Sequence, residues 1–429
     1  MVYKNRQGAS MEKVENWLAS LELQSTPSFA ECVMNLGRFF PLLNEFEQTE
    51  QDSIWHAEGN VAIHTDLVLK ALYELLAAEA SHITGKKRQA LILSALLHDI
   101  AKPLTTRKKE IQGQLRVVAP LHEEIGASYL ATKLIELPLE HSVIMVIMGL
   151  VGFHQVPKRL VIKNQEFSDY FKLSLNADLE LLYWLELADM RGRVCNDLAV
   201  QLDLLEQYRM FAQDYELWGV TNPTTTYLAR IQVKPTKSEQ TLLDGYAIKQ
   251  LADGDIKLVE EAIAKNYTTC QQYSHCYIMC GISGSGKSTW IANNLVDFEV
   301  ISLDDIRAEI NGKRSCQKSR GQVLQLAKQR FKKALAEKRN LVWDATNTRK
   351  DFREPLIELA INYGALVTLV VFQLSAKSLK QYNHNRTFSV SDDVQQNQLK
   401  KFEWPWQSQT HRQLVIGEAG QLLYQFGRF

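Results

Sequence analysis

Residues 281–288, GISGSGKS, constrain the fold of this chain more than any other stretch. They fit the pattern G-x-x-x-x-G-K-[ST], in which backbone amides of a glycine-rich loop surround the phosphates of a nucleotide. The apolar run 277–280 precedes the loop and predicts a strand, and the residues after the loop predict a helix. A strand, a phosphate-binding loop and a helix in this order favour a parallel sheet covered by helices.

The remainder of residues 273–429 supports this α/β prediction, because short apolar runs alternate there with helical spacing. Further strands are expected at 299–303, 341–343 and 366–374, and helices at 317–337 and 353–363. The sequence therefore predicts a kinase-like phosphate-binding domain with a mostly parallel sheet over residues 273–429.

Residues 1–220 have a different pattern, since one segment after another carries helical apolar spacing and predicts an all-α domain. The expected helices are 71–80, 89–100, 124–135, 142–151, 177–190 and 198–215. Residues 221–272 are expected to be a connector, with a strand-like piece at 227–233 and a charged helix near 256–264. A chain of 429 residues suits such a multidomain arrangement.

Composition limits the setting and the partners of the protein. The first twenty residues lack the basic start and apolar core of a signal peptide, and the most apolar run, 143–151, is too short to span a bilayer. We therefore expect a cytoplasmic protein with no membrane partner, and six cysteines without a framework predict no disulfides. Because the net charge is +0, a nucleic acid would bind through local basic patches; the candidates 86–88, 107–109 and 313–320 are each also typical of solvated surface.

The phosphate-binding motif predicts specific roles. Lys287 should reach the β- and γ-phosphates of ATP or another nucleoside triphosphate, and the Ser288 hydroxyl should hold Mg²⁺. A glycine-rich turn without a ligand is the alternative interpretation. The predicted nucleotide-binding residues of the loop are Gly281, Ser283, Gly284, Ser285, Gly286, Lys287, Ser288 and Thr289.

Polar residues at later strand ends indicate what else lies near the phosphates. Asp304 and Asp305 follow a predicted strand, so one of them can accept a hydroxyl proton as a general base, and one can cap the next helix. Arg307, one turn later, can clamp a phosphate on the acceptor. Asp344 follows the third strand, where a carboxylate often positions Mg²⁺ or a nucleophile, and Asn347 lies just beyond it in a supporting position.

Arg386 ends the polar helical segment 380–386, KQYNHNR. Such a segment can close over ATP and place an arginine against transition-state charge, although a solvated helix face explains the same pattern. GSGKSTW, DDIR, DATN and this N-x-x-R segment together resemble the phage polynucleotide kinase family, which phosphorylates 5′-hydroxyl ends. The resemblance implies that Asp304 is the general base, that Arg307 holds the phosphate on the 3′ side of the attacking nucleoside, and that Arg386 contacts ATP.

Histidines mark a second candidate site, because seven of the ten lie before residue 160. Helix ends that converge on one cavity would supply imidazole and carboxylate ligands for one or two divalent metals. Those at or near predicted helix ends are His64, His98, His122 and His154, and the carboxylates in similar positions are Asp99 and Asp189.

The order H…HD…H…H…D resembles the HD phosphohydrolase superfamily, which is all-helical and metal-dependent. The contexts WHAEGNV and ADMRGR are similar to the HD domain attached to some tRNA nucleotidyltransferases, and the resemblance covers about residues 50–215. It implies a first metal site of His64, His98, Asp99 and Asp189, with a second added by His122 and His154. Lys102 would stabilise phosphoryl charge or reach solvent, His56 would support the ligands from outside, and His82 and His141 would not be ligands.

An HD module followed by a kinase resembles the bacterial bifunctional HD-phosphohydrolase/polynucleotide-kinase end-healing enzymes. This implies RNA or DNA ends as substrates, ATP with Mg²⁺, one or two divalent transition metals, and an RNA ligase that acts downstream. One alternative is a small-metabolite or nucleoside kinase fused to an HD nucleotidase. Another is a non-catalytic, ATP-binding adaptor.

Overall fold

The computed structural model describes residues 10–268, 272–314, 318–386 and 388–429. The chain divides into two compact units, with the boundary between Thr221 and Asn222. The first unit is helical and the second is built on a sheet, so the predicted fold class is confirmed.

The first unit consists of helices around a core formed by α3, α4, α7 and α10, which pack against one another. All six predicted helices are present, with ends that differ by a few residues or, for α3, by ten at the start. The helices are α1 (Met11–Ser20), α2 (Phe29–Leu36), α3 (Val61–Ala77), α4 (Gly85–Leu97), α5 (Lys102–Thr105), α6 (His122–Lys133), α7 (His141–Phe153), α8 (Val156–Ile162), α9 (Phe167–Ser174), α10 (Leu179–Arg191) and α11 (Leu198–Asp214), with 3₁₀ helices at Pro41–Gln48 and Leu134–Glu136.

Helix α7 is the most apolar helix of the unit, and most of its residues are buried against α4 and α6. No single helix in the described part of the chain is long and apolar enough to cross a membrane. Helices α7 and α8 are long and apolar enough only when taken together, and they are bent by 44° at the break between them. Buried core helices can have the same length and composition.

A β-hairpin interrupts the helices and was not predicted. Strands β1 (Arg107–Ile111) and β2 (Gln114–Val118) pair antiparallel, with Lys109 opposite Arg116. The sequence of β1, RKKEI, lacks the apolar alternation that identifies a half-buried strand, because β1 is mostly exposed.

The second unit contains a six-stranded sheet in the order β4-β5-β3-β6-β7-β8. All neighbouring strands are parallel except β7 and β8. The four strands predicted from the sequence are β3 (His275–Cys280), β4 (Glu299–Ser302), β5 (Leu341–Asp344) and β6 (Leu366–Phe372), and the C-terminal residues add β7 (Arg412–Ile416) and β8 (Leu422–Phe426).

Helices cover this sheet, and some of them were not predicted from the sequence. The helices predicted at 317–337 and 353–363 correspond to Arg320–Ala336 and Lys350–Asn362, and residue 317 lies outside the described residues. The helices that follow β3 are α15 (Lys287–Asn294), α16 (Leu303–Asn311), α17 (Arg320–Ala336), α18 (Lys350–Asn362), α19 (Ala376–His384) and α20 (Asp392–Lys400).

The segment expected as a connector is residues 221–272, and its described residues from Asn222 onward fall in the second unit. The strand expected at 227–233 is wrong, since α12 (Thr224–Ala229) occupies its start. Helix α13 (Lys237–Asp253) is largely buried, and α14 (Glu261–Lys265) follows it. The Tyr246 hydroxyl of α13 donates to the Ile361 and Ala365 carbonyls at 3.0 and 3.1 Å. Helix α13 therefore packs on the kinase-like sheet.

Candidate functional sites

Helix ends in the first unit bring six predicted ligands together. His98 directly follows α4, His154 directly follows α7, and His122 begins α6. Each side chain is almost fully buried, which is unusual for so many ionisable groups unless they share a partner. We call this set the His/Asp cluster; it comprises His64, His98, Asp99, His122, His154 and Asp189.

Asp99 lies at the centre of the cluster. One carboxylate oxygen is 3.2 Å from His98 Nε2 and 2.7 Å from Lys102 Nζ, and the other is 3.2 Å from His122 Nε2. Burial alone would raise the pKa of Asp99, but the charges of His98 and Lys102 outweigh it and hold that pKa well below its usual range. Asp99 is therefore an ionised carboxylate that faces several imidazoles at once.

Asp189 and His64 form the other side of the cluster. Asp189 Oδ1 lies 3.0 Å from His64 Nε2 and 4.0 Å from His98 Nε2. Arg193, one turn further along, holds the second oxygen of Asp189 at 2.5 Å. Ligand atoms of His64, His98 and Asp189 all lie within 4.8 Å of one another, as do those of Asp99, His122 and His154.

Three of the histidines are held in one tautomer. His98, His122 and His154 each place Nδ1 2.8 Å from the backbone carbonyl three residues earlier. Because a carbonyl only accepts, Nδ1 carries a proton in each ring, so Nε2 is the atom that can bind a metal when the ring is neutral, as in histidines that bind metals.

The Nε2 atoms of His122 and His154 are placed to share a metal ion. They are only 3.3 Å apart in a buried space. Burial, as the main cause, lowers the pKa of His154 well below its usual range, so its Nε2 is unprotonated and can act as a ligand. Imidazole and carboxylate donors suit a divalent transition metal. The residues present therefore fit the metal that the HD pattern implies.

Glu58 belongs to this site but was not identified from the sequence. Its Oε1 lies 2.8 Å from His64 Nδ1 and 2.9 Å from His56 Nδ1. Burial opposes ionisation, but the bonds to both histidines lower the pKa of Glu58 below its usual range. A carboxylate on Nδ1 orients the ring and increases the basicity of Nε2. The ligand atoms of His56, Glu58 and His64 also lie within 4.8 Å of one another, beside the His/Asp cluster.

Lys102 turns into the site and not towards solvent. It is buried, and besides Asp99 its ammonium donates to Gln51 Oε1 at 2.6 Å. His82, in contrast, pairs with Glu180 at 2.7 Å. Among the described residues, neither His82 nor His141 belongs to a set of three or more histidine, cysteine or acidic side chains whose ligand atoms lie within 4.8 Å of one another.

In the second unit, the phosphate loop (residues 281–288) connects β3 to α15. Gly284 and Gly286 have φ angles of +89° and +90°, a conformation that L side chains rarely adopt. The chain thereby turns so that successive amides and the first turn of α15 can surround an anion. Ser288 and Thr289 are exposed at this helix end.

Lys287 folds back on this loop, where its ammonium donates to the Gly281 and Ile282 carbonyls at 2.8 and 3.1 Å and lies 3.4 Å from Ser285 Oγ. Burial lowers the pKa of Lys287 to about 8, although Asp344 opposes the shift. The Ser288 hydroxyl lies 3.4 Å from Asp344 Oδ2, at the end of the neighbouring strand β5. Ser288 and Asp344 thus form the oxygen pair that suits Mg²⁺.

Asp304 and Arg307 stand beside this loop on α16. The residue that caps α16 is Ser302, which accepts from the Asp305 amide at 3.2 Å, so neither aspartate is needed as the cap. Arg307 forms an ion pair with the Asp304 carboxylate and donates to the Arg314 carbonyl at 3.1 Å. The negative charge of Asp304 also contributes to raising the pKa of Asp344, after burial as the main cause.

Asn347 is a brace inside the protein. Its side-chain amide donates to the Met279 carbonyl at 2.7 Å, and its backbone has φ of +44°. The adjacent Thr346 carbonyl accepts from the Gly281 amide at 2.9 Å. These bonds fix the start of the phosphate loop against β5, which is a supporting role.

Helices α19 and α20 hold the other side of the phosphate loop. Gln395 donates to the Ser283 carbonyl at 2.8 Å, and Gln398 accepts from the Ser283 amide at 2.9 Å. Gly284 is packed so closely that an added Cβ would lie 3.0 Å from Asn383. These glutamines were not predicted from the sequence, because α20 carries few apolar residues and no helical pattern was visible there.

Arg386 follows α19 and is exposed. Its positive charge contributes to lowering the pKa of Lys287, after burial as the main cause, so it faces the phosphate loop. The exposed ring of Phe388, two residues later, lies 5.1 Å from the Arg314 guanidinium. Arg314 also pairs with Asp305, which connects this segment to α16.

Comparisons with known proteins agree with the two units. The model of the HD domain matches residues 61–182, and the model of the AAA domain matches residues 277–405. A gluconokinase from Sinorhizobium meliloti 1021 is 22% identical and covers 35% of this chain and 86% of its own, with a TM-score of 0.27. The search of curated proteins found no match. The chain thus combines an HD domain, which implies a divalent metal, with a P-loop kinase-like domain, which implies ATP and Mg²⁺.

Proposed function

We propose that this protein heals broken RNA or DNA ends by two reactions. It would phosphorylate 5′-hydroxyl ends with ATP, and it would remove 2′,3′-cyclic phosphate or terminal 2′ or 3′ phosphate. The observation that carries the proposal is the presence in one chain of a buried His/Asp cluster and of a phosphate loop flanked by the pair Asp304 and Arg307.

The 5′ reaction uses Asp304 as the general base. The 5′-oxygen of the acceptor attacks the γ-phosphorus of ATP, its proton passes to Asp304, and ADP leaves with the electrons of the broken bond. Arg307 holds the phosphate that follows the attacking nucleoside. Lys287 and Arg386 stabilise charge on the transferred group, and Ser288 with Asp344 would hold Mg²⁺.

The 3′ reaction takes place at the His/Asp cluster. His64, His98, Asp99 and Asp189 would hold one divalent metal, and His122 with His154 would add the ligands of a second. A metal bound there supplies water that ionises near neutral pH and can attack phosphorus. Lys102, held at 2.7 Å from Asp99, is placed to stabilise charge on the phosphoryl oxygens.

The products define the proposed partners. A 3′-hydroxyl and a 5′-phosphate are the two ends that a ligase joins, so we propose an RNA ligase that acts downstream. Cytoplasmic residence is part of the same proposal.

One experiment tests the two reactions together. An oligonucleotide with a 5′-hydroxyl and a 2′,3′-cyclic phosphate is incubated with ATP, Mg²⁺ and a transition metal. We expect Lys287→Ala or Asp304→Ala to abolish 5′ phosphorylation and to leave 3′-end hydrolysis near that of the wild type. We expect Asp99→Ala to do the opposite.

The alternatives give other results in the same assay. A small-metabolite kinase would phosphorylate a mononucleoside at least as well as the oligonucleotide. A non-catalytic adaptor would turn over neither end. Loss of both activities in each folded variant would contradict two separate sites.

A further inference from the structure

The hairpin of β1 and β2 is joined to the His/Asp cluster at both of its ends. Lys102, which contacts Asp99 at 2.7 Å, lies five residues before β1. Ala119 follows β2 directly, and its carbonyl accepts the Nδ1 proton of His122. The two ends of the hairpin therefore adjoin the cluster.

One face of the hairpin is basic. Lys109 is paired with Arg116 and Arg107 with Val118, and alternate residues of a strand share a face, so Arg107, Lys109 and Arg116 lie on the same side. We call these three residues the basic face. No acidic side chain pairs with Arg107 or Lys109 in the described part of the chain. Lys108, on the opposite side, pairs with Glu50 at 3.3 Å.

Trp55 forms a rigid aromatic surface next to the basic face. The Arg116 guanidinium lies 4.1 Å from its ring centroid, yet the residue remains 46% exposed. Arg116 lies against the ring, and part of the residue stays accessible to a ligand.

Asp52 fixes this arrangement. Its buried carboxylate accepts two bonds of 2.6 Å from Arg116, one of 3.3 Å from the Trp55 amide and one of 3.2 Å from the Val117 amide. Because Arg116 is its main partner, the pKa of Asp52 is lowered to about 2, so the carboxylate stays ionised at any working pH. The ring is thus oriented in advance and loses little freedom when a ligand stacks on it.

The same segment reaches the cluster. Gln51 accepts from Lys102 at 2.6 Å, and His56, next to Trp55, has its ring centroid 4.8 Å from that of His64. Trp55 therefore lies at the rim of the site, between the cluster and the basic face.

An exposed aromatic ring beside two cations that have no acidic partner among the described residues, Arg107 and Lys109, is the combination that binds single-stranded nucleic acid, since bases stack on the ring and phosphates meet the cations. We propose that Trp55 and the basic face bind the strand upstream of the 3′ end that the cluster hydrolyses. A base near this end stacks on Trp55, and Arg107 and Lys109 contact the phosphates before it. This proposal rests on the proposed 3′-end activity and specifies the substrate as a strand and not a mononucleotide.

The test compares two substrates of the cluster in each variant of the full-length, metal-loaded protein. One is an oligonucleotide with a 2′,3′-cyclic phosphate end, and the other is bis(p-nitrophenyl) phosphate, which has no upstream strand. For Trp55→Ala, the ratio of the oligonucleotide KM to the ester KM should rise about 5- to 150-fold, as expected for the loss of one base–aromatic stack. Trp55→Phe, which keeps a stacking ring, should recover most of the effect.

Salt dependence tests the cations. The double variant Arg107→Gln/Lys109→Gln should reduce the slope of log affinity against log salt for the oligonucleotide by about 1.4, since each contact with a single strand contributes about 0.7. Lys108→Gln is the matched control, because it removes one charge from the other side of the same hairpin and should leave the slope unchanged.

The outcomes separate this proposal from the proposed function. If the wild type hydrolyses oligonucleotide ends but Trp55→Ala and the double variant keep wild-type KM ratios and slopes, the binding surface lies elsewhere. An equal effect of Lys108→Gln would also overturn the assignment to the basic face. If the wild type hydrolyses the ester and no oligonucleotide end, the proposed function fails and this proposal fails with it.

Discussion

Lys158 and Glu186 form an ion pair in the interior of the helical unit, on α8 and α10. The Lys158 ammonium lies 3.0 Å from Glu186 Oε2, and Glu186 is 0% exposed. Lys158→Met keeps most of the buried stem but removes the charge, which leaves a carboxylate in an apolar environment. Breaking a buried pair in this way costs about 3–5 kcal/mol. The helical unit should lose this amount of stability at neutral pH.

The loss of stability in Lys158→Met should depend on pH. Burial raises the pKa of Glu186, Asp189 adds to the shift, and Lys158 and Arg193 oppose it. Without Lys158 the folded-state pKa rises further above the unfolded value. A carboxyl of this kind contributes its stability below the unfolded pKa and loses it as the pH rises through the folded pKa. The difference between Lys158→Met and wild type should therefore be small near pH 5 and grow towards pH 8.

Hydrogen exchange measures this effect locally. Peptides that span α8 and α10 should exchange roughly 150- to 5,000-fold faster in Lys158→Met than in wild type at neutral pH. The double variant Lys158→Met/Glu186→Leu replaces both charges and should recover most of the protection. Exchange of the single variant within fivefold of wild type at pH 8 would show that Glu186 does not depend on Lys158.

Three further predictions concern the sites. ATP affinity should fall about tenfold per pH unit above pH 8, because nucleotide phosphates favour charged Lys287, whose pKa without nucleotide is about 8. Binding titrations from pH 7 to 9.5 measure this slope, and Lys287→Arg should flatten it. Arg307→Ala should lower the kcat/KM for phosphorylation of a nucleoside 3′-monophosphate by a factor that corresponds to about 1.5–3 kcal/mol, but it should barely change the kcat/KM for a bare nucleoside. If the wild type phosphorylates both acceptors equally well, Arg307 does not bind the 3′ phosphate. Dialysis against a chelator should lower the Tm of the helical unit, because a metal that binds only the folded His/Asp cluster stabilises the folded state. An unchanged Tm after verified metal removal would contradict a metal at the cluster.

The sequence predicted the elements that follow a strong periodic pattern. Apolar spacing identified α4 and α7, and this placed His98 and His154 at helix ends that converge. The motif identified the phosphate loop, since its glycines and its lysine are spaced as a loop that surrounds a phosphate requires. Contacts between distant segments were not predictable: Glu58 is a single carboxylate in a loop, and nothing near it in the sequence indicates that His64 lies 2.8 Å away.

Burial of polar residues and exposure of strands account for the remaining differences between the predicted and the observed elements. Helix α13 buries Gln240, Thr241 and Asp244 along with its apolar residues, which conceals the helical pattern. Strand β1 is exposed on both faces, so its charges resemble those of a loop. In both cases tertiary contacts decide the structure where local preference does not.

Helix α13 determines where the chain can be divided into its two units. A fragment that begins at residue 273 lacks Tyr246, whose hydroxyl satisfies two carbonyls and whose ring centroid lies 4.2 Å from that of His411. It would also expose the apolar surface that Leu242 and Leu243 cover, and such a surface promotes aggregation. A cut near residue 222 keeps the helix with the sheet. The segment Lys237–Asp253 is therefore a structural part of the kinase-like unit and not a free linker.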